Sequence, residues 1–437
     1  MKIKPGLPLM LILAATLTSF SQQKSDLIAS ARSLVDLLAK EDFQAAVAGF
    51  DDTMKSASPP DKLKELWNTI TAQMGPFKRQ TEVRKERQGP YYFVFVTLEF
   101  QKDSLDLKLV YNGAGQVAGM FLVPAYKAPA YARPDSFTER EVKIGAGEWV
   151  LPGTLTLPAG AGSFPGVVLV HGSGPGNRDE AIGPNKTFRD LAWGLAGKGV
   201  AVLRYDKRTN VYGDKLIAMG GRFTVKEESV DDAVAAAALL RQTPGIDSKR
   251  VFVLGHSLGG TLAPRIGSQA PDLAGLIILA GTTRSAEEIT VEQLNYIASL
   301  GGPGAERVKA LIETTKTHFA RLNDPKLPET EMVLGVPACY WLDLRSYNPA
   351  QTAASLKMPI LVVQGERDYQ VTMDDFQGWK KYLSGRANVE FKTYPKLNHL
   401  FEEGEGKSTP QEYEKPANVA SYVIDDIAAW VKKGQPK

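Results

Sequence analysis

Near-continuous apolar runs at 166–171 (GVVLVH), 199–205 (GVAVLRY), 250–255 (RVFVLG), 274–280 (AGLIILA) and 358–364 (MPILVVQ) constrain this chain more than any other feature. A strand with no polar face must be buried on both sides. A parallel sheet covered by helices on both faces provides that burial. Amphipathic stretches near 187–197, 227–242 and 258–269 lie between the runs and supply the helices. The expectation is an α/β unit over 137–434, entered through antiparallel strands at about 140–157. The segment 283–350 breaks the rhythm: it is helix-prone, rich in Glu, Lys and Thr, and inserted between two strands, so it reads as a lid.

At 437 residues the chain exceeds what one core usually organises. Its first part has a different grammar. Leu27, Ala31, Leu34, Val35 and Leu38 recur at helical spacing, Asp42 is placed to cap a second helix, and Pro59-Pro60 starts a third that stops at Gly75. Residues 91–100 (YYFVFVTLEF), 105–111 (LDLKLVY) and, past an Asn112-Gly113 turn, 116–123 are strands. Helices followed by an antiparallel sheet predict a small α+β domain over 24–126. A linker at 127–136, within a stretch punctuated by Pro124, Pro129 and Pro134, separates it from the α/β unit. Lys2 and Lys4 precede an apolar run at 7–20 that is too short to span a bilayer, and small residues follow at Ser19 and Ser21. Residues 1–21 are therefore expected to be a cleaved signal peptide, with an uncleaved anchor as the alternative. The mature chain would be exported, to the periplasm or beyond, without a membrane anchor.

Formal net charge is only +3 and no Lys/Arg block stands out, which gives no support to nucleic-acid binding. A single cysteine, Cys339, excludes an intrachain disulfide and a Cys/His metal cluster. It reads as a small hydrophobe rather than a nucleophile.

The chemistry is concentrated at Gly255-His256-Ser257-Leu258-Gly259-Gly260. A Gly-x-Ser-x-Gly pattern alone is weak, but here it joins the strand Val251–Leu254 directly to a helical stretch starting at Thr261. Such a turn exposes a serine Oγ above the sheet edge, and glycine at 255 and 259 avoids collisions there. Ser257 is the candidate nucleophile and needs a base. Of the four histidines, His171 ends a strand, His256 adjoins Ser257 and His318 lies in the insertion. His399, after a final strand at 389–394, remains as the base. Asp368, just past the strand Ile360–Val363, is the acid that would orient His399, with Glu366 as the alternative. The loop His171-Gly172-Ser173-Gly174-Pro175-Gly176 follows the first buried parallel strand. Its N–H at Ser173 or Gly174, with that of Leu258, would form an oxyanion hole. The loop lacks a Lys-Ser/Thr sequel and a ribose-binding acid, so it does not read as a nucleotide site. The charges of Arg204-Tyr205-Asp206-Lys207-Arg208 fix a loop or reach a substrate carboxylate, the structural role being favoured.

HGSGPGNRDE (171–180), AVLRYDKR (201–208), GHSLGG (255–260), QGERDYQV (364–371) and LNHLF (397–401) together resemble secreted bacterial α/β-hydrolases of the serine esterase and serine-aminopeptidase-like group. The resemblance covers about 137–434 and implies the same triad, Ser257, Asp368 and His399. The N-terminal stretch resembles a domain of unknown function often joined to such hydrolases, similar to a nuclear-transport-factor-like cone. Domains of that shape commonly mediate pairing or help cover a pocket, so a homo-oligomer formed through it is a further expectation. The expected activity is hydrolysis of small-molecule carboxylic esters through an acyl-serine, with no cofactor and no metal. A peptidase or amidase of the same fold, or a non-catalytic binding protein on this scaffold, are the alternatives. Serine at 257 excludes the dehalogenase and dienelactone-hydrolase types, which need a carboxylate or a thiol there.

Overall fold

The structure is a computed structural model that describes residues 26–88, 91–218 and 220–433; the expected signal peptide lies outside the described residues. The chain divides into two compact units, Met1–Tyr126 and Lys127–Lys437.

The first unit begins with α1 (Leu27–Ala39), α2 (Phe43–Ala46), α3 (Asp52–Ala57) and α4 (Pro60–Met74). Asp26, Asp42 and Asp51 cap the first three of these, each accepting N–H groups that a helix start leaves unpaired. The helices pack Leu34, Leu63 and Trp67, joined by Phe50 from the loop before α3, against Val94, Val96, Leu107 and Leu109 of an antiparallel sheet. The sheet runs in the order β1 (Phe77–Gln88), β2 (Tyr91–Phe100), β3 (Ser104–Tyr111), β4 (Val117–Pro124). The first of these strands, FKRQTEVRKERQ, lies outside the strands that the sequence pattern predicts. It is an edge strand that pairs only with β2, so its outward positions carry charge without penalty. The Arg84 guanidinium lies 3.7 Å over the Phe95 ring and 2.7 Å from Asp106, a cation–π and ionic substitute for apolar packing.

The second unit holds an eight-stranded sheet. The antiparallel lead-in is two strands, β5 (Phe137–Ile144) and β6 (Leu151–Pro158). Then come β7 (Phe164–Val170), a two-residue hairpin of β8 (Ala181–Ile182) and β9 (Asn185–Lys186), α5 (Thr187–Ala196), β10 (Ala201–Tyr205) and α6 (Arg208–Ala218). A π-helical turn at Lys226–Val230 runs into α7 (Asp231–Arg241), followed by β11 (Ile246–His256), α8 (Leu258–Gln269) and β12 (Gly275–Leu279). The inserted stretch contains α9 (Ala286–Ser299), α10 (Ala305–Arg321), the hairpin β13 (Met332–Val333) and β14 (Val336–Pro337), and α11 (Ala338–Arg345). The chain closes with α12 (Pro349–Ser355), β15 (Ile360–Gly365), α13 (Met373–Leu383), β16 (Val389–Tyr394) and α14 (Ser421–Lys432).

The sheet order is β16-β15-β12-β11-β7-β10-β6-β5, and every pair from β16 to β10 is parallel. Alternation along β7 shows why the runs are apolar on both faces. Val168 and Val170 join a core with α7, α8, α12 and α13, whereas Val167 and Leu169 join one with α5 and α14. This is the expected α/β architecture. It brings the C-terminal ends of β7, β11 and β15 to one edge, where ligands meet open parallel sheets.

Candidate active site

Ser257 sits between β11 and α8 with φ 54° and ψ −119°, a conformation that a side chain adopts only under constraint. Its N–H donates to the Leu279 carbonyl at 2.9 Å, and its own carbonyl accepts from the Thr261 N–H at 3.0 Å. Glycine neighbours are obligatory. A Cβ at Gly255 would lie 2.1 Å from the Gly259 oxygen, and one at Gly259 would lie 2.1 Å from the Val170 oxygen. Ser257 remains half-buried. Leu258 is the first residue of α8, so its N–H belongs to the set that has no acceptor within the helix, at the positive end of the helix dipole.

Asp368 lies in the turn after β15 and is buried. Its Oδ2 is 2.6 Å from His399 Nδ1. The carboxylate is itself fixed: Oδ1 accepts the N–H groups of Gln370 (2.7 Å) and Val371 (3.1 Å), and Oδ2 accepts from Gln364 Nε2 (3.2 Å). Glu366, two residues earlier, is exposed. His399 is buried in the loop after β16, where the Asn398 side chain accepts from the N–H groups of Leu400 and Glu402. The structure thus joins Asp368 to His399 directly. Among the described residues no hydrogen bond joins Ser257 Oγ to His399; such bonds are often long before substrate binds. The link between them is His256, the neighbour of Ser257. Its Nε2 donates to the His399 carbonyl at 2.8 Å, and the two rings lie 4.7 Å apart.

His256, set aside in the sequence, is therefore part of the site's frame. Its Nδ1 is 2.9 Å from Glu180 Oε2, and Glu180 Oε1 accepts the Gly172 N–H at 2.7 Å. Burial alone would push the His256 imidazole down, but the adjacent Glu180 carboxylate raises it above its usual value. The same pairing outweighs burial in the opposite sense and holds Glu180 low. His171 has no such partner of comparable strength, and burial pushes it down; its Nε2 bonds the Asn177 carbonyl at 2.9 Å.

The loop after β7 is built by its own charges. Arg178 pairs with Asp206 (3.0 Å), Asp179 with Arg189 (2.6 Å) and Arg204, and Glu180 with His256. This is the loop-fixing outcome for the 204–208 charges. Gly172 is brought against Ser257: a Cβ there would be 3.6 Å from Ser257 Oγ. Ser173 and Gly174 follow at the exposed rim, Gly174 with φ +79°. Sequence carried no signal for Glu180 or Lys207, whose charges read like solvated ones, and showed His256 only as the residue before Ser257.

Cys339 is half-buried, its thiol 3.4 Å from the Phe223 carbonyl and pushed up by burial, which suits packing rather than attack. His318 lies on α10 in the insertion.

Glu402, three residues past His399, gives a test of this loop's electrostatics. Burial raises its carboxyl from 4.5 to about 8, with Asp190 and Glu412 adding to the rise. A carboxyl that binds its proton more tightly when folded costs stability as pH rises from the unfolded value through the folded one. Between pH 5 and 9 the wild type is expected to lose stability that Glu402→Gln keeps, since Gln still offers an oxygen to Asn398 Nδ2. Thermal unfolding should give matching Tm values at pH 5 and a higher Tm for the variant at pH 9. Equal values at both would contradict the buried neutral carboxyl.

Residues 167–414 match the model of the alpha/beta hydrolase family, and residues 31–120 match a family described only as a protein of unknown function (DUF3887). A Thermotoga maritima protein named esterase EstD is 40% identical over 403 residues, 91% of this chain and 94% of that one. The rat acylamino-acid-releasing enzyme is 24% identical over 56% of this chain but only 30% of its own length. A Pyrococcus furiosus esterase structure, 18% identical, aligns over 72% of this chain and 97% of its own with a TM-score of 0.45. With its hydrolase match spanning more than half the sequence and a relative that shares nearly its whole length, this chain belongs to the alpha/beta hydrolase family and carries a DUF3887 domain ahead of the hydrolase unit.

Proposed function

We propose that this chain is a serine hydrolase that cleaves small carboxylic esters through an acyl-Ser257 intermediate. The observation that carries this reading is the buried Asp368–His399 hydrogen bond of 2.6 Å, set beside a serine in a strained strand-to-helix turn. The near-full-length similarity to a protein named as an esterase supports the ester over the amide.

In the first half-reaction His399 Nε2 takes the Ser257 proton as Oγ attacks the ester carbonyl carbon. The carbonyl oxygen becomes an oxyanion that accepts hydrogen bonds from the Leu258 N–H and from Ser173 or Gly174. Each such donor is worth about 2.7–4 kcal/mol of barrier. The intermediate collapses, the C–O bond to the alcohol breaks, and His399 gives its proton to the leaving oxygen. In the second half His399 takes a proton from water, which attacks the acyl carbon and releases the acid and free Ser257. Nothing in the sequence calls for a metal or organic cofactor in these steps. The inserted helices of 283–350 are positioned in sequence to act as a lid. The N-terminal Lys2, Lys4 and apolar 7–20 segment support export. The DUF3887 unit is a candidate pairing surface.

The test is turnover of a p-nitrophenyl ester series, acetate to dodecanoate, beside aminoacyl-p-nitroanilides. It is paired with mass spectrometry after fluorophosphonate labelling. Ester turnover with the adduct on the Ser257 peptide is expected. Anilide turnover exceeding ester turnover would move the assignment to peptidase, and an adduct elsewhere would overturn the nucleophile.

A further inference from the structure

Lys207 is almost wholly buried, with 1% of its side chain exposed. Its Nζ donates to the Gly172 carbonyl at 2.8 Å and to the Gly174 carbonyl at 3.1 Å, and lies 3.2 Å from Glu228 Oε2. Glu228 is also buried and is held by the hydroxyls of Thr209 (2.8 Å) and Tyr340 (2.7 Å). Burying an ammonium–carboxylate pair is expensive, and hydrophobic residues of similar volume would serve stability at least as well. The pair sits against the loop that touches Ser257, which gives it a reason other than stability.

The two carbonyls it grips flank Ser173. A trans peptide holds its C=O and the following N–H on opposite sides of one plane, and no described peptide here is cis. Fixing the Gly172 oxygen on Lys207 therefore fixes the Ser173 N–H in the opposite direction, away from Lys207. The Gly172 N–H is committed to Glu180 at 2.7 Å, so this glycine is clamped at both ends. Pro175 leaves the peptide after Gly174 without a donor. The backbone of Lys207 adds a third tie, its N–H donating to the Gly176 carbonyl at 2.9 Å.

We propose that Lys207 is a positioning residue of the esterase reaction: by holding the Gly172 and Gly174 carbonyls it selects the Ser173 N–H as the oxyanion donor from this loop and aims it at the carbonyl oxygen of an ester bound at Ser257. Glu228 neutralises the ammonium without competing for the loop, and Tyr340 ties that carboxylate to α11 of the inserted helices. The inference rests on Ser257 being the nucleophile.

Because Lys207→Met would strand the Glu228 charge, the test uses the neutral pair Lys207→Met/Glu228→Gln. Lys207→Arg accompanies it: it keeps the charge but spreads its donors over a bulkier planar fork that cannot set three of them on one nitrogen for the two carbonyls and Glu228. Each is measured for kcat, KM and affinity for an aryl trifluoromethyl ketone. Ser257 Oγ adds to that ketone's carbonyl carbon, its proton passes to His399, and the new alkoxide occupies the oxyanion position. Losing one such donor predicts a fall of about 100-fold in kcat, a KM within about threefold, and an equal fall in ketone affinity for the neutral pair. Lys207→Arg should fall at least tenfold in both. Should the neutral pair fail to fold, Lys207→Arg carries the test alone. A folded variant with kcat within threefold of wild type overturns the clamp, as does a kcat loss with unchanged ketone affinity. Ser257→Ala run in parallel separates the two claims. Turnover surviving in it overturns the nucleophile, whereas a dead Ser257→Ala beside a fully active Lys207 variant overturns only the clamp.

Discussion

Replacing Ser257 by alanine is expected to lower ester kcat by about 10⁶-fold while leaving the fold intact. The change removes one oxygen from a half-buried position and adds nothing. The strained backbone at φ 54° is imposed by the hydrogen bonds of the Ser257 N–H to Leu279 and of its carbonyl to Thr261, which do not involve the side chain. Alanine accepts that geometry at the same cost as serine, so Tm should move by no more than a degree or two. What is lost is the covalent route, and the one thiol does not substitute: Cys339 is half-buried in the inserted stretch and is pushed up by burial. Residual turnover then comes only from positioning and oxyanion stabilisation of direct water attack. Stopped-flow measurement should show the p-nitrophenol burst of the wild type and none in the variant. A variant within 100-fold of wild type would sink the acyl-enzyme mechanism, and an inactive wild type would return the scaffold to a binding role.

The sheet was legible because burial on both faces removes polar residues from its strands, and no other arrangement explains runs such as GVVLVH and AGLIILA. Helix α7 and its π-helical entry read as one amphipathic stretch at 227–242, since a single extra backbone turn leaves the apolar spacing nearly unchanged. Strand β1 was hidden for the opposite reason: an edge strand needs only one hydrogen-bonded neighbour, and stacking of Arg84 on Phe95 replaces the apolar residues that pattern reading depends on. At the site, the Gly-x-Ser-x-Gly turn announces itself because its glycines answer a steric demand that few other turns make. Glu180 and Lys207 did not, because a buried charge looks in sequence like a solvated one; only distant partners reveal the difference, Glu228 and Gly172 lying 21 and 35 residues from Lys207 and His256 lying 76 from Glu180. In sequence His256 reads only as the neighbour of Ser257, and that adjacency is what lets its ring brace the His399 carbonyl.

Asp368→Asn is expected to cost about 10⁴-fold in kcat, far more than the loss of one hydrogen bond would suggest. The reason is tautomer control. Asp368 Oδ1 is committed to the N–H groups of Gln370 and Val371, so asparagine keeps its oxygen there and presents its NH₂ where Oδ2 stood. That position faces two donors in the wild type, His399 Nδ1–H at 2.6 Å and Gln364 Nε2 at 3.2 Å. Against an NH₂ group the imidazole can bond only by turning its Nδ1 into an acceptor, which moves the proton to Nε2. Nε2 then cannot take the serine proton, and the base is disabled although its position barely changes. Glu366→Gln is the matched control: it alters an exposed carboxylate on the same turn and should leave kcat within twofold. The proton on Nδ1 gives a readout independent of turnover. Its NMR resonance, far downfield in the wild type when bonded to a carboxylate at this distance, should vanish in Asp368→Asn and persist in Glu366→Gln. If Glu366→Gln lost activity and Asp368→Asn kept it, the acid would be the wrong residue of the pair, and the orienting hydrogen bond seen here would be a feature of structure alone.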